Sequence, residues 1–196
     1  MRSTPEAAVD MLQLWTIQPK SVWERAQDRG GLRTDGRLVD PYFRPAYRWM
    51  IGQMAQRLTG YTGMYPVWAW YRPKPDLRHT GYLTKGTPGV RLGFIAPADK
   101  VLLSDFDAWH SVLNGGYCAP NAAEAEWCAH YEACDRATVA GDAARLEALR
   151  RERPATWERI FDLDAWAVSN HPQYIQATLA SVALSQITDV THFTAR

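Results

Sequence analysis

The sequence predicts an α+β domain in which a small, mostly antiparallel sheet has helices inserted between its strands. Three observations lead to this prediction. Residues 12–17 and 90–95 alternate as strands do, and residues 67–71 are strand formers that place Trp68 and Trp70 on one face. Residues 40–58 repeat apolar side chains at intervals of three and four, as an amphipathic helix does. Residues 117–153 are rich in Ala, Glu and Arg and poor in strand formers, which favours further helices.

The first half of the chain contains residues that mark where several of these elements begin and end. Pro19 suits the first turn of a helix that follows the first strand, and Gly30 ends that helix. Asp40 followed by Pro41 predicts a capped start for the helix that runs to Leu58. The basic, Pro-broken segment after the second strand predicts an exposed loop.

The second half is less regular. Val101–Leu103 predicts a short strand, and Ser104 is expected to cap the helix after it. Asn121 and Asp142 are candidate caps for two helices in the 117–153 insertion, and Pro154 begins another short helix. The end of the chain predicts a strand over residues 174–184, with a helix as the alternative, then a helical turn over 185–190 and a closing strand over 191–195.

Length and composition place the chain in the globular class. We expect one domain over residues 11–196, with residues 1–10 as a loose lead-in, because about 35 inserted residues make a marginal core of their own. A net charge of +1 gives no bulk attraction to nucleic acid or to an anionic membrane. Nine Trp and nine Tyr predict that some aromatic side chains line a cleft.

The chain has no apolar run near the roughly 18 residues of a membrane span, and its first residues lack a signal peptide core. It has three cysteines, an odd number that argues against a secreted disulfide framework. We therefore expect a cytoplasmic protein that does not enter the membrane. The spacing of Cys118, Cys128, His130 and Cys134 is unlike that of a structural zinc site, so no metal is expected and idle thiols are favoured.

Residues 101–110, V-L-L-S-D-F-D-A-W-H, are the first candidate site. They bring a hydroxyl, two carboxylates and an imidazole to a strand-to-helix junction, where pockets are often built. Asp105 or His110 is a candidate general acid or base. The alternative is structural, with the polar groups capping the helix and His110 bonded to backbone.

The second candidate site is the segment V-W-A-W-Y with its basic continuation. Trp68 and Trp70 share one face of the strand and are suited to stacking a planar ligand, while Arg72 and Arg78 are suited to holding a phosphate. The alternative is a sheet face packed beneath the helix of residues 40–58, with the basic side chains in solvent.

Five motifs together resemble a widespread microbial family catalogued as a domain of unknown function. They are L-W-T-I-Q (14–18), Y-P-V-W-A-W (65–70), V-L-L-S-D-F-D-A-W-H (101–110), W-E-R-I-F-D-L (157–163) and I-Q-A-T (175–178). The resemblance covers nearly the whole chain and implies no particular activity.

A more distant resemblance is to the ADP-ribosyltransferase superfamily. It rests on a strand of type L-W-T, a helix ending in G-G-L and a late strand containing Q-A-T. It implies NAD as a substrate, with Thr16 at the first-strand position and Gln176 and Thr178 at the places of the late-strand Gln and Glu. The Glu is thus replaced, and its loss removes a charge that stabilises the transition state. Asp105 is the candidate replacement for that carboxylate, and Ser104 beside it completes the expected ligand contacts.

Three functions remain open at this point. The first is an NAD- or nucleotide-handling domain of ADP-ribosyltransferase type, with Trp68 and Trp70 on the nicotinamide or adenine and Arg72 or Arg78 on the pyrophosphate. The second is a non-catalytic module that binds RNA or a modified base between aromatic side chains. The third is a structural or partner-binding domain without a small-molecule site.

Overall fold

A computed structural model describes residues 10–169 and 171–196. The predicted lead-in falls, except for Asp10, outside the described residues. The described chain forms eight strands: β1 (Met11–Pro19), β2 (Gly31–Leu32), β3 (Val67–Arg72), β4 (Pro88–Pro97), β5 (Leu102–Asp105), β6 (Ile175–Leu179), β7 (Val182–Ala183) and β8 (Ile187–Thr194). It also forms six α-helices: α1 (Lys20–Asp28), α2 (Arg44–Arg57), α3 (Phe106–Leu113), α4 (Glu124–Val139), α5 (Ala143–Glu152) and α6 (Leu163–Trp166).

Six of the strands form one sheet in the order β5-β6-β3-β1-β4-β8, and β2 pairs with β7 in a small second sheet. The pairs β1–β3, β1–β4 and β4–β8 are antiparallel. Helices lie between β1 and β3 and between β5 and β6 along the chain. The α+β prediction, with a mostly antiparallel sheet and inserted helices, is confirmed.

The structure agrees with the strongest sequence signals. The helix predicted from Asp40 to Leu58 opens with a 3₁₀ turn over Pro41–Phe43 and continues as α2. The Asp40 carboxylate accepts a hydrogen bond from the Tyr42 backbone N–H, as a capping residue does. Asp142 caps α5 in the same way, by accepting from the Arg145 N–H.

Four details of the predicted elements are wrong. Ser104 is not the cap of α3, because β5 continues one residue further and Asp105 accepts the capping bond. Asn121 lies inside a 3₁₀ turn and does not cap α4, which begins without a side-chain cap. The strand predicted over 174–184 ends at Leu179, and the chain then forms the short β7. The helical turn covers Leu184–Gln186, so the last strand begins earlier than predicted, at Ile187.

The described residues divide into two compact units. The first comprises residues 10–36, 51–102 and 177–196, and the second comprises residues 37–50, 103–169 and 171–176. The prediction of one domain with a helical insertion remains a prediction.

In the first unit, the central strands have one buried face and one half-open face. Leu14 on β1 and Val90, Leu92 and Phe94 on β4 are fully buried, and α1 packs against these two strands. Successive side chains of a strand point to opposite faces, so the residues that alternate with these four buried residues lie on the half-open face. Removal of these large apolar side chains from water is the main force that holds this part of the sheet together.

In the second unit, the core is built from aromatic side chains. Trp157 and Ile160 are buried on the 3₁₀ segment Arg153–Phe161. The ring of Trp49 meets that of Trp157 edge to face at 5.5 Å and stacks on Phe161 at 5.8 Å. The indole N–H of Trp157 donates to the Gly116 carbonyl at 2.8 Å, which satisfies the polar end of this buried ring.

Candidate functional site

The second unit brings together three of the residues predicted at the strand-to-helix junction and the late strand. The Gln176 side-chain amide donates to the Ser104 hydroxyl at 3.2 Å, across β5 and β6. Asp105 follows Ser104 directly, and all three side chains are buried. The contact between the two segments is thus made by Gln176 and Ser104, inside the protein, and Asp105 has other hydrogen-bond partners.

Asp105 has two hydrogen bonds that explain its position. One carboxylate oxygen accepts from the Ala108 backbone N–H at 2.9 Å, and the other accepts from the Gln173 side-chain amide at 3.2 Å. The carboxylate therefore lies at the amino end of α3, where the helix dipole favours a negative charge. Both carboxylate oxygens are used in holding α3 and the segment before β6.

His110 lies on the exposed side of α3, one turn further along. Its Nδ1 is 2.9 Å from the Phe106 carbonyl oxygen, and its ring meets the Phe106 ring edge to face at 4.6 Å. This local hydrogen bond is the structural alternative considered for His110, and Nδ1 is its donor because a carbonyl oxygen can only accept.

The two threonines of the predicted ribose site lie in the first unit, and both are buried. The Thr16 hydroxyl donates to the Trp68 carbonyl at 2.9 Å and accepts from the Gln18 amide at 2.9 Å. The Thr178 hydroxyl donates to the Leu102 carbonyl at 3.3 Å. Each hydroxyl therefore joins two strands and is satisfied by a hydrogen bond inside the sheet.

The half-open face of the sheet carries a different set of groups. Trp15 on β1 and Trp70 on β3 are direct cross-strand partners, so their indoles lie on the same face. Both are half-buried, as is Trp68. The Lys74 ammonium lies 5.9 Å from the centre of the Trp15 ring. We call this surface, made by Trp15, Trp68, Trp70 and Lys74, the tryptophan face.

Trp15 pairs with Trp70 on one neighbouring strand and with Gly93 of β4 on the other. Because glycine has no side chain, Gly93 leaves space for the Trp15 indole. A Cβ at this position would stand 3.4 Å from two atoms of the Trp15 indole and 3.2 Å from the Asp189 Cβ. Glycine therefore lets the indole lie close to the strand. Sequence reasoning missed Trp15, because its pairing with Trp70 depends on the strand register.

The two predicted phosphate ligands lie in separate places. Arg72 is exposed at the end of β3, where its guanidinium contacts the Tyr71 side chain. Arg78 lies in the loop between β3 and β4 and donates to both carboxylate oxygens of Asp76, with the shortest contact 2.7 Å. These bonds hold the pKa of Asp76 well below its usual range.

The cysteine segment forms a network in the second unit that the sequence did not predict. The Arg153 guanidinium donates to His130 Nε2 at 3.1 Å and to the Gly115 carbonyl at 3.2 Å, and it also lies 3.7 Å from the Cys134 sulfur. Burial lowers the pKa of His130, and the charge of Arg153 lowers it further. The imidazole therefore stays neutral, and its Nε2 accepts the hydrogen bond from Arg153. Among the residues that the structure describes, no three His, Cys, Asp or Glu side chains are grouped as metal ligands.

A family model described as a domain of unknown function (DUF3841) matches residues 13–188. The chain belongs to this family. The first resemblance found in the sequence is thereby confirmed, and the match extends from β1 into β8 of the DUF3841 fold. No curated protein and no solved structure shows significant similarity to the chain. Within the described part of this DUF3841 chain, no helix has both the length and the apolar character needed to cross a bilayer.

The role of Asp105 as a cap can be tested by substitution. Asp105→Ala removes the acceptor for Ala108, which should lower the free energy of unfolding by about 1–2 kcal/mol. Asp105→Asn keeps one acceptor oxygen and should cost less. Urea denaturation of both variants is the measurement, and Asp107→Ala, an exposed change in the same helical turn, is the control. Equal losses in Asp105→Ala and Asp107→Ala would contradict the capping role.

The cysteines should differ in reactivity. Burial, with Arg159 opposing it and Asp105 adding to it, raises the pKa of Cys118 from 9.0 to about 12, whereas Cys128 is exposed. Alkylation with iodoacetamide at pH 8, followed by mass spectrometry, should modify Cys128 and leave Cys118 intact until the protein unfolds. The stability that the protonated Cys118 provides is present below its ordinary pKa and is lost as the pH rises toward 12. Rapid labelling of Cys118 in the folded chain would refute this assignment.

Proposed function

We propose that this DUF3841 domain binds a nucleotide by stacking its base on the tryptophan face, with NAD and ADP-ribose as the first ligands to test. The observation that supports this proposal is the cross-strand pair of Trp15 and Trp70, half-buried on one face of the sheet with a lysine ammonium beside it. This pair combines two extended π surfaces with a cation, the combination that suits a base joined to a phosphate.

Lys74 strengthens the proposal because it is exposed. Its ammonium lies over the Trp15 ring at the outer limit of a cation–π contact. A planar base that displaces the ammonium from the ring leaves that charge next to the ligand. The lysine can then pair with a phosphate at little cost in rearrangement.

Binding has more support than group transfer. A transferase site needs polar groups that are free to contact the ribose and stabilise developing positive charge. Gln176 donates to Ser104, and Thr16 and Thr178 donate to backbone carbonyls. A ligand that used these groups would have to break hydrogen bonds between strands, at about 1–3 kcal/mol for each buried group left unsatisfied. ADP-ribosyl transfer therefore remains a prediction with less support than binding.

The choice of a single nucleotide over an RNA strand rests on charge. The chain has a net charge of +1, and its cations are spread over both units. Binding along a nucleic acid backbone depends on several phosphate contacts and a basic surface. Capture of one base on a tryptophan pair needs neither. A ligand with one base and a few phosphates fits this surface better than a polymer.

Substitution of the two tryptophans tests the proposal. Trp70→Ala and Trp15→Ala should each weaken binding of ADP-ribose roughly 10- to 100-fold, since stacking contributes about 1–3 kcal/mol per base. Isothermal titration is the measurement. Trp127→Ala is the matched control, because Trp127 is exposed on α4 in the other unit and should leave the affinity unchanged.

Two outcomes would count against the proposal. One is the absence of any heat with NAD, ADP-ribose and AMP for the unchanged protein. The other is a loss of affinity that is as large in Trp127→Ala as in Trp70→Ala. Binding of short RNA that exceeds binding of AMP, with the same dependence on Trp70, would instead favour the base-binding module considered from the sequence.

A further inference from the structure

The loop before β4 and the end of β8 enclose an open hollow of about 740 Å³ in the first unit. Its lining combines apolar side chains, Leu77 and Phe193, with three cationic ones, Arg78, Lys85 and Arg196. An anionic ligand with an apolar part matches such a lining better than a purely apolar ligand does.

The three cations differ in how far their charge is already balanced. Arg78 is paired with Asp76 through both carboxylate oxygens. Lys85 and Arg196 are exposed and form no ion pair with any residue that the structure describes. The hollow therefore has two positive charges available to a ligand. Phosphate groups are among the anions that Lys and Arg bind, through charge-assisted hydrogen bonds.

The hollow and the tryptophan face lie on the same side of the sheet. Phe193 is the cross-strand partner of Gly89, and its ring occupies the space that a Cβ on Gly89 would need, 2.6 Å away. Trp15 lies in the same way beside Gly93, four residues further along β4. At about 3.3 Å per residue, the two sites are roughly 13 Å apart along the strand.

One short segment connects the two sites. Lys74 lies by the Trp15 ring, the Pro75 carbonyl accepts from Arg91 at 2.9 Å, and Leu77 and Arg78 line the hollow. Arg91 is placed on β4 between Gly89 and Gly93, so it lies on the same face between the sites. An extended ligand that begins on the tryptophans and follows this segment ends among Lys85 and Arg196.

We propose that the hollow binds the phosphate groups of the ligand whose base stacks on the tryptophan face. The ligand class is then a nucleotide with a pyrophosphate group, a nucleoside diphosphate or a dinucleotide, and neither a free base nor a nucleoside. This inference rests on the proposed function, because it assumes that a base occupies the tryptophan face. The separation of the two sites requires more than one phosphate to reach from one to the other.

The experiment compares adenosine, AMP, ADP and inorganic pyrophosphate by isothermal titration with the full chain. ADP should bind on the order of tenfold more tightly than AMP, because charged hydrogen bonds to phosphate are each about 1.5–3 kcal/mol and the phosphate nearest the base is already within reach of Lys74. The double variant Lys85→Gln/Arg196→Gln should remove this preference of ADP over AMP and keep the affinity for adenosine. Pyrophosphate should compete with ADP and leave adenosine binding unaffected.

The matched control is Lys20→Gln/Arg136→Gln, which also removes two exposed positive charges, each paired within its own helix. It should keep the preference for ADP, and thermal unfolding of both double variants should match that of the unchanged protein. Equal affinity for ADP and AMP in the unchanged protein would overturn the inference and leave the proposed function standing. A preference for ADP over AMP that survives in Lys85→Gln/Arg196→Gln, or disappears in the control, would also overturn it. The absence of binding by every ligand that carries a base would overturn both proposals.

Discussion

The register between β1 and β4 joins nine residue pairs, from Met11 with Pro97 to Pro19 with Gly89. Because strand side chains alternate between faces, this register assigns every residue of β1 to the buried side or the half-open side. Leu14 and Thr16 lie on the buried side, and Trp15 lies on the other, above Gly93. A shift of one residue would bury the indole and expose the leucine. The core and the proposed binding surface therefore depend on the same set of backbone hydrogen bonds.

The buried polar side chains have a role that follows from this arrangement. Thr16, Gln176 and Thr178 each donate to a group on a neighbouring strand, and Asp105 holds the start of α3. A buried hydroxyl or amide without a partner destabilises a protein, so each of these groups is stable only where its partner is present. Their hydrogen bonds link neighbouring strands and stabilise the observed pairing. The same residue types that characterise a catalytic site thus serve here to hold strands and a helix in place.

Much of the fold could be predicted from local sequence, and the reasons are physical. The Asp40–Pro41 cap and the strand formers of residues 67–71 depend on neighbouring residues only, and the structure agrees with both. The local sequence predicts the cap of α3 one residue early, because Ser and Asp cap helices about equally well and only the length of β5, whose Ser104 pairs with Gln176, separates them. Trp15 and Trp70 are 55 positions apart, and Lys85 and Arg196 are further apart still. Their proximity follows from strand pairing and loop geometry, which a local pattern does not encode.

The most direct test of this account is a titration of isotope-labelled protein with ADP-ribose, followed by the NMR signals of side-chain N–H groups. The chain has nine tryptophans, each with an indole N–H that gives its own signal. The account predicts that the indole signals of Trp15 and Trp70 move in proportion to the ligand bound, while the side-chain amides of Gln173 and Gln176 stay in place. Movement of the two glutamine amides with the Trp15 and Trp70 signals unchanged would contradict it, and would show instead that the ligand enters between β5 and β6.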